Sequence, residues 1–113
     1  MNKRNEDLYI KDTIEAIKYI QAYTKNLSFK KFSNDQKTID AVIRNFEIIG
    51  EATKQISKQT KARYPAIPWR KIASMRDKVI HEYFGVDLDI IWETIHESLP
   101  SLKKKIERVQ LLR

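Results

Sequence analysis

The sequence predicts an all-α protein, an up-and-down four-helix bundle with a short extra helical turn between its first two helices. Three observations carry that reading. Only two glycines and three prolines occur in 113 residues, too few for a β-rich chain with many turns. Apolar residues recur every three or four positions over four long stretches, the period of a single helix face. The breaks between the stretches are short, which favours antiparallel neighbours.

The first helix is expected from about Glu6 to Lys25, with Ile10, Ile14, Ile17 and Ile20 on its stripe and Tyr19 and Tyr23 beside it. "NLSFKKFSND" breaks the pattern, and its Phe29 and Phe32 are expected to lid one end of the core. Ser33 with Gln36 reads as a capping box opening the second helix. That helix carries Ile39, Val42, Ile43, Phe46, Ile49, Thr53 and Ile56 on one face, and Gly50 lies among them. A helical glycine costs about 1 kcal/mol relative to alanine, so close approach of another helix is the expected reason for it. "RYPAIPW" is a loop, because its two prolines exclude helix at Tyr64 and Ile67. Pro68 then suits the first position of a third helix, which ends near Phe84 with Gly85 as the terminating residue. Asp87 can cap the fourth helix. Its stripe is Leu88, Ile91, Trp92, Ile95, Leu99, Leu102, Ile106 and Val109, long enough to serve a subunit interface as well, and Pro100 should kink or restart it.

The 113 residues read as a single domain, 1–113, without repeat, linker or low-complexity tract. No apolar run approaches the roughly 18 residues of a membrane span, and "MNKRNEDLYIKD" lacks the apolar core of a secretory signal. Without cysteine there is neither a disulfide framework nor a thiolate metal site. A cytoplasmic protein is expected, with no membrane role. Twenty-two Lys and Arg against 15 Asp and Glu leave a net charge of +7, which suits a polyanionic partner, RNA or DNA, or an acidic protein. His96, with Glu93 and Glu97 nearby, does not make a metal site, and no metal or cofactor is expected. Trp69 and Trp92 read as core anchors.

"RDKVIHEY", residues 76–83, raises a question of charge. At about 100° per residue, Ile72, Ala73, Met75, Val79, Ile80, Tyr83 and Phe84 gather into one arc with Arg76 in its middle. An unpaired buried charge costs several kcal/mol. Three placements satisfy the arginine: its stem is buried and its head in water, it pairs with Glu47 or Glu51, or it opens into a cleft at a subunit boundary. His81 lies roughly 140° round the helix from Arg76. Asp77, four residues before His81, can orient the imidazole and fix its tautomer. Tyr83 returns to the Arg76 face two turns on. RNA cleavage needs a base for the 2′-OH proton, an acid for the leaving oxygen and a cation for the phosphorane charge. A histidine supplies either of the first two and an arginine fork the third. Lys78 and Arg70 flank the motif as candidate RNA phosphate contacts.

"AVIRNFEIIGEATKQIS", followed by "PAIPWRKIASMRDKVIHEYFGVDLDIIWETIHESLPSLKKKI", resembles the HepT-like branch of the HEPN superfamily over about residues 5–110. The resemblance rests on "IGEA" in the second helix, "IPW" before the third, the composite R-x4-H-x-Y, and "VD…W…LP.L" in the fourth. It implies a HEPN-type bundle that forms a homodimer, with the R-x4-H motifs of two protomers facing across a cleft. It further implies a metal-independent endoribonuclease toxin, with Arg76 and His81 as the catalytic pair. The partner it implies is a minimal (MNT) nucleotidyltransferase antitoxin that transfers AMP to the motif tyrosine, here Tyr83. The position after the arginine is commonly asparagine or another polar residue; here it is Asp77, which brings a negative charge close to the scissile phosphate. A reading from a different class uses the same fold and partner: a non-catalytic helical adaptor that presents substrate to the nucleotidyltransferase. A helix-turn-helix DNA regulator fits poorly, because no short second helix follows a tight turn.

Overall fold

The computed structural model describes residues 3–85 and 87–112, with side chains described for 5–77 and 87–112. Among them the elements are α1 (Lys3–Thr24), α2 (Phe29–Ser33), α3 (Gln36–Lys54), α4 (Lys58–Arg63), α5 (Trp69–Gly85), α6 (Leu88–Glu93), a π-helical turn (Thr94–Ser98) and α7 (Leu99–Leu112). The last three run on without a break. Thr94 and Leu99 keep right-handed helical angles, so together they form one long rod. The architecture is the expected all-α one of HEPN type. Helix α1 packs on α3, α3 on α5, α5 on α6, and α7 returns to α1, closing a ring of four rods.

The stripes read from sequence meet at its centre. Ile10, Ile14, Ile17 and Ile20 of α1 are buried against Ile39, Val42, Phe46 and Ile49 of α3. Ile91, Ile95, Leu99, Leu102, Ile106 and Val109 complete the core from the last rod. That stripe is thus spent within the subunit, and only Leu111 and Leu112 at its end stay exposed. Phe32 of α2 is fully buried, its ring centroid 5.1 Å from that of the half-buried Trp92, so the short helix does lid one end of the core. Helix α1 stops where Asn26 takes a left-handed φ of 64°, a conformation that asparagine tolerates better than most residues.

Several local features depart from the sequence reading. The cap of α3 is Asp35, whose carboxylate accepts from the Thr38 N–H at 3.1 Å and the Thr38 hydroxyl at 2.6 Å. Ser33 belongs to α2 and donates to the Lys30 carbonyl instead, because α2 uses up the residues of the expected capping box. Helix α4 went unread: Ser57 caps it by accepting from the Thr60 N–H, but six residues are too few to show a periodic stripe. Gly85 lies inside α5 rather than after it. Pro100 acts through the π-helical turn just before it. Its ring would strike the carbonyl four residues back and it has no N–H to bond there, and a widened turn absorbs both defects without leaving the helical path.

Two hydrogen bonds accepted by one buried side chain fix where α4 sits. Glu6, near the start of α1, accepts from the Ser57 N–H at 2.9 Å and the Ser57 hydroxyl at 3.1 Å. The turn between α3 and α4 is thereby fastened to α1 across 51 residues of sequence. Among the described residues, no helix is long and apolar enough to cross a membrane.

The Asp35 cap titrates in a predictable direction. Its hydrogen bonds to the Thr38 hydroxyl and N–H hold its pKa below the ordinary 3.8. The charged cap therefore stabilises the fold fully above that value, and the contribution fades as pH falls through the lower folded value. Asp35→Ala is expected to lower the denaturation midpoint at pH 7, with the gap to wild type narrowing below pH 3.8. Asp35→Asn, which still accepts at a cap, is expected to keep most of the midpoint at pH 7.

Candidate active site

The arc on α5 that contains Arg76 is split by the fold. Ile72, on one side of Arg76, is buried in the core, and Met75 is half-buried against it. Ala73, on the other side, is exposed. Arg76 stands on the border between the two, with its side chain 34% exposed. It is neither enclosed in the core nor free in water.

Gly50 makes that position attainable. A Cβ added to Gly50 would come within 2.8 Å of the Arg76 Cβ and 2.9 Å of its Cδ, and closer still to Cγ. The aliphatic stem of Arg76 thus lies directly on the α3 backbone, which only glycine leaves bare. The expected close approach at Gly50 is present, and the group that approaches is the arginine itself. Burying the stem and leaving the fork at the rim resolves the cost of a cation on an apolar arc.

Two carboxylates face the fork. Asp77 Oδ1 accepts from Nη1 at 3.0 Å, and Glu51 Oε1 lies 3.7 Å from Nη2. The second distance is an ion pair rather than a hydrogen bond, and both carboxylates are largely exposed, so water screens the pairs. Glu47, the other carboxylate considered from sequence, pairs with Arg44 at 3.7 Å. The buried Nε of Arg76 has no hydrogen-bond partner among the described residues. An arginine stacked on backbone, with its terminal nitrogens held only by exposed carboxylates, can exchange those partners for an incoming oxyanion.

The fork opens into a cleft of about 240 Å³ between α3, α4 and α5. Gly50, Glu51 and Lys54 line it from α3, and Lys61 from α4. Trp69, Ala73, Arg76 and Asp77 line it from α5 at helical spacing. Trp69 is half-buried, as an anchor should be. Its Nε1–H is shared between the Lys61 and Tyr64 carbonyls, both at 3.2 Å, tying the loop after α4 to the head of α5.

Of the residues singled out from sequence, Arg76 and Asp77 meet in this cleft. Asp77 makes its described contact with Arg76. The side chains of His81, Tyr83 and Lys78 lie outside the described residues. Arg70 is exposed on the first turn of α5 and does not line the cleft. Lys54 and Lys61 do line it, and the sequence reading passed over both. They come from different helices, and one of those helices was not foreseen, so no spacing could have linked them to Arg76. His96 is exposed on the last rod, with its Nδ1 2.9 Å from the Trp92 carbonyl. Among the described residues no cluster of His, Cys, Asp or Glu could hold a metal.

The family model described as "Ribonuclease HepT-like" matches residues 13–109. The chain is 49% identical over 108 residues to "Probable ribonuclease HepT" of Thermococcus cleftensis, covering 96% of this chain and 98% of that protein. A protein of Methanocaldococcus jannaschii named as an RNase is 41% identical over 96% of this chain and 90% of its own length. One of Caldanaerobacter subterraneus subsp. tengcongensis, also named as an RNase, is 40% identical over 89% of this chain and 90% of its own. No solved structure matches the chain.

The Gly50 contact is directly testable. Glycine to alanine in a helix is ordinarily worth about 1 kcal/mol in favour of alanine, but overpacking costs about 1–3 kcal/mol. Gly50→Ala is expected to lower the denaturation midpoint. In an Arg76→Ala background part of that loss should be recovered, which a double-mutant cycle would measure as coupling.

Proposed function

The chain belongs to the HepT-like ribonuclease family, and from that we propose a metal-independent endoribonuclease that uses Arg76 and His81 of "RDKVIHEY" at a cleft between two copies of the chain. The observation that carries the proposal is the guanidinium at the rim of an open cleft, its stem fixed on Gly50. A core arginine would be satisfied inside the subunit; this one keeps its fork where a phosphate can reach it.

Cleavage then runs by transesterification. One His81 accepts the 2′-OH proton, the 2′-oxygen attacks the adjacent phosphorus, and the 5′-oxygen departs with a proton from a general acid. Arg76 binds the non-bridging oxygens as charge builds on them. The reaction asks for both a base and an acid, yet the motif of one chain holds a single histidine. His96 sits against Trp92 on another helix and does not line the cleft. In the homodimer that the family resemblance implies, a second His81, from the partner copy, supplies the missing group. Asp77 positions the pair, holding the Arg76 fork now and able to orient His81 one turn on.

The proposal extends to control. Tyr83 lies by register on the Arg76 face, two turns along. AMP transferred there by an MNT-type nucleotidyltransferase would set a phosphate beside the guanidinium and fill the groove. That is the behaviour of a toxin and its antitoxin, acting on cytoplasmic RNA.

Induced expression of wild type, Arg76→Ala and His81→Ala, read as growth and total RNA integrity, tests the core of this reading. Growth arrest with RNA loss is expected in wild type alone, and purified wild type should keep its activity in excess EDTA. Each substitution is expected to slow cleavage by about 10²–10³-fold or more, the scale for loss of one transition-state donor. Arg76→Lys should not restore it, because an ammonium lacks the planar fork. Intact RNA from a folded, dimeric and unmodified wild type would favour the non-catalytic adaptor instead. Mass spectrometry at Tyr83 establishes the modification state.

A further inference from the structure

The charge balance of the cleft is uneven in an informative way. Three cations line it, Lys54, Lys61 and Arg76, against two carboxylates, Glu51 and Asp77. Both carboxylates are engaged with Arg76, so its charge is locally compensated. Lys54 and Lys61 pair with no carboxylate among the described residues. The cleft therefore offers its net positive charge away from Arg76, along the wall built by the end of α3 and by α4.

That wall is held in place on both sides. Glu6 grips Ser57 at the start of α4, and Trp69 grips the Lys61 carbonyl and the loop beyond it. Lys61 is half-buried rather than fully extended into water. A lysine whose backbone is fixed and whose stem is packed presents its ammonium over a narrower region than one on an open helix face. With Trp69 seven residues before Arg76, this end of the cleft is about 10 Å along α5 from the reacting phosphate. Lys61, whose carbonyl takes the Trp69 indole, thus stands beside a different turn of α5 from Arg76, as a contact to a neighbouring phosphate on the same strand requires.

We propose that Lys54 and Lys61 form an RNA-binding subsite for phosphates flanking the scissile one, with α4 as the wall that aligns the strand toward Arg76. The proposal rests on the ribonuclease reading above and adds the path that the substrate takes. Single-stranded RNA fits this path, because the cleft is an open groove that follows one face of α5. Its volume of about 240 Å³ falls below the roughly 300–1,000 Å³ of small-molecule pockets.

The test is binding of a short single-stranded RNA as a function of salt, in a His81→Ala background so that the strand survives. Each phosphate contact on single strands contributes about 0.7 to the slope of log K against log salt. The pair Lys54→Gln and Lys61→Gln is expected to reduce that slope by about 1.4. With His81 restored, the same pair should raise KM for cleavage and leave kcat nearly unchanged. Lys61→Arg, which keeps the charge, should retain the slope. The pair Lys104→Gln and Lys105→Gln on α7 removes the same charge from an exposed helix face and should leave the slope as it was. Equal loss from both pairs, or none from the first while circular dichroism shows it folded, overturns the subsite and leaves the ribonuclease reading standing. Failure of the His81→Ala protein to bind RNA at any salt, together with no cleavage by wild type, removes both.

Discussion

Contact between Gly50 and the stem of Arg76 sets the distance between α3 and α5, and much of the rest follows from that distance. Two helices ordinarily meet through interdigitated side chains, 8–10 Å apart. Here one partner contributes bare backbone and the other a long aliphatic stem, so the arginine takes up the space that an apolar residue of α3 would have filled. The stem counts as core and the head as surface. A permanent cation can therefore occupy an apolar arc without the penalty of a buried charge.

The electrostatics of the cleft are arranged around the same residue. Asp77 and Glu51 compensate the guanidinium without enclosing it, at 3.0 and 3.7 Å and with most of each carboxylate in water. Pairs of that kind are worth at most about 1 kcal/mol, so a phosphate can displace them. An arginine locked into a buried bidentate pair would be more rigid but closed to substrate. Weak compensation keeps the fork oriented and exchangeable.

Support for this arrangement comes from parts of the chain far from the motif. Glu6, at the opposite end of the sequence, fixes the turn that introduces α4, and the indole of Trp69 fixes the turn that leaves it. Three linkages thus hold the three walls of the cleft: Gly50 to Arg76, Glu6 to Ser57, and Trp69 to the Lys61 carbonyl. Each joins residues on different elements. A cleft scaffolded in this way is ordered before any ligand enters it, which lowers the entropic cost of binding.

By itself the sequence determined the four long helices, the buried faces of the first, second and last, the Asp87 cap, the special status of Gly50, and the anomaly of Arg76. These rest on periodicity and on the local chemistry of glycine, proline and cap residues, which act within a few positions along the chain. It also carried the motifs of the family to which the chain belongs. What it left undecided was joined across long separations. The cap of α3 moved to Asp35 because a five-residue helix claimed Ser33, and α4 was too short to leave a stripe. Which half of the α5 arc faces the core, and so whether Arg76 is enclosed or open, depends on where α3 and α6 lie against it. Lys54 and Lys61 enter the cleft for the same reason. A periodic pattern tells which residues share a face, whereas only packing decides what that face meets.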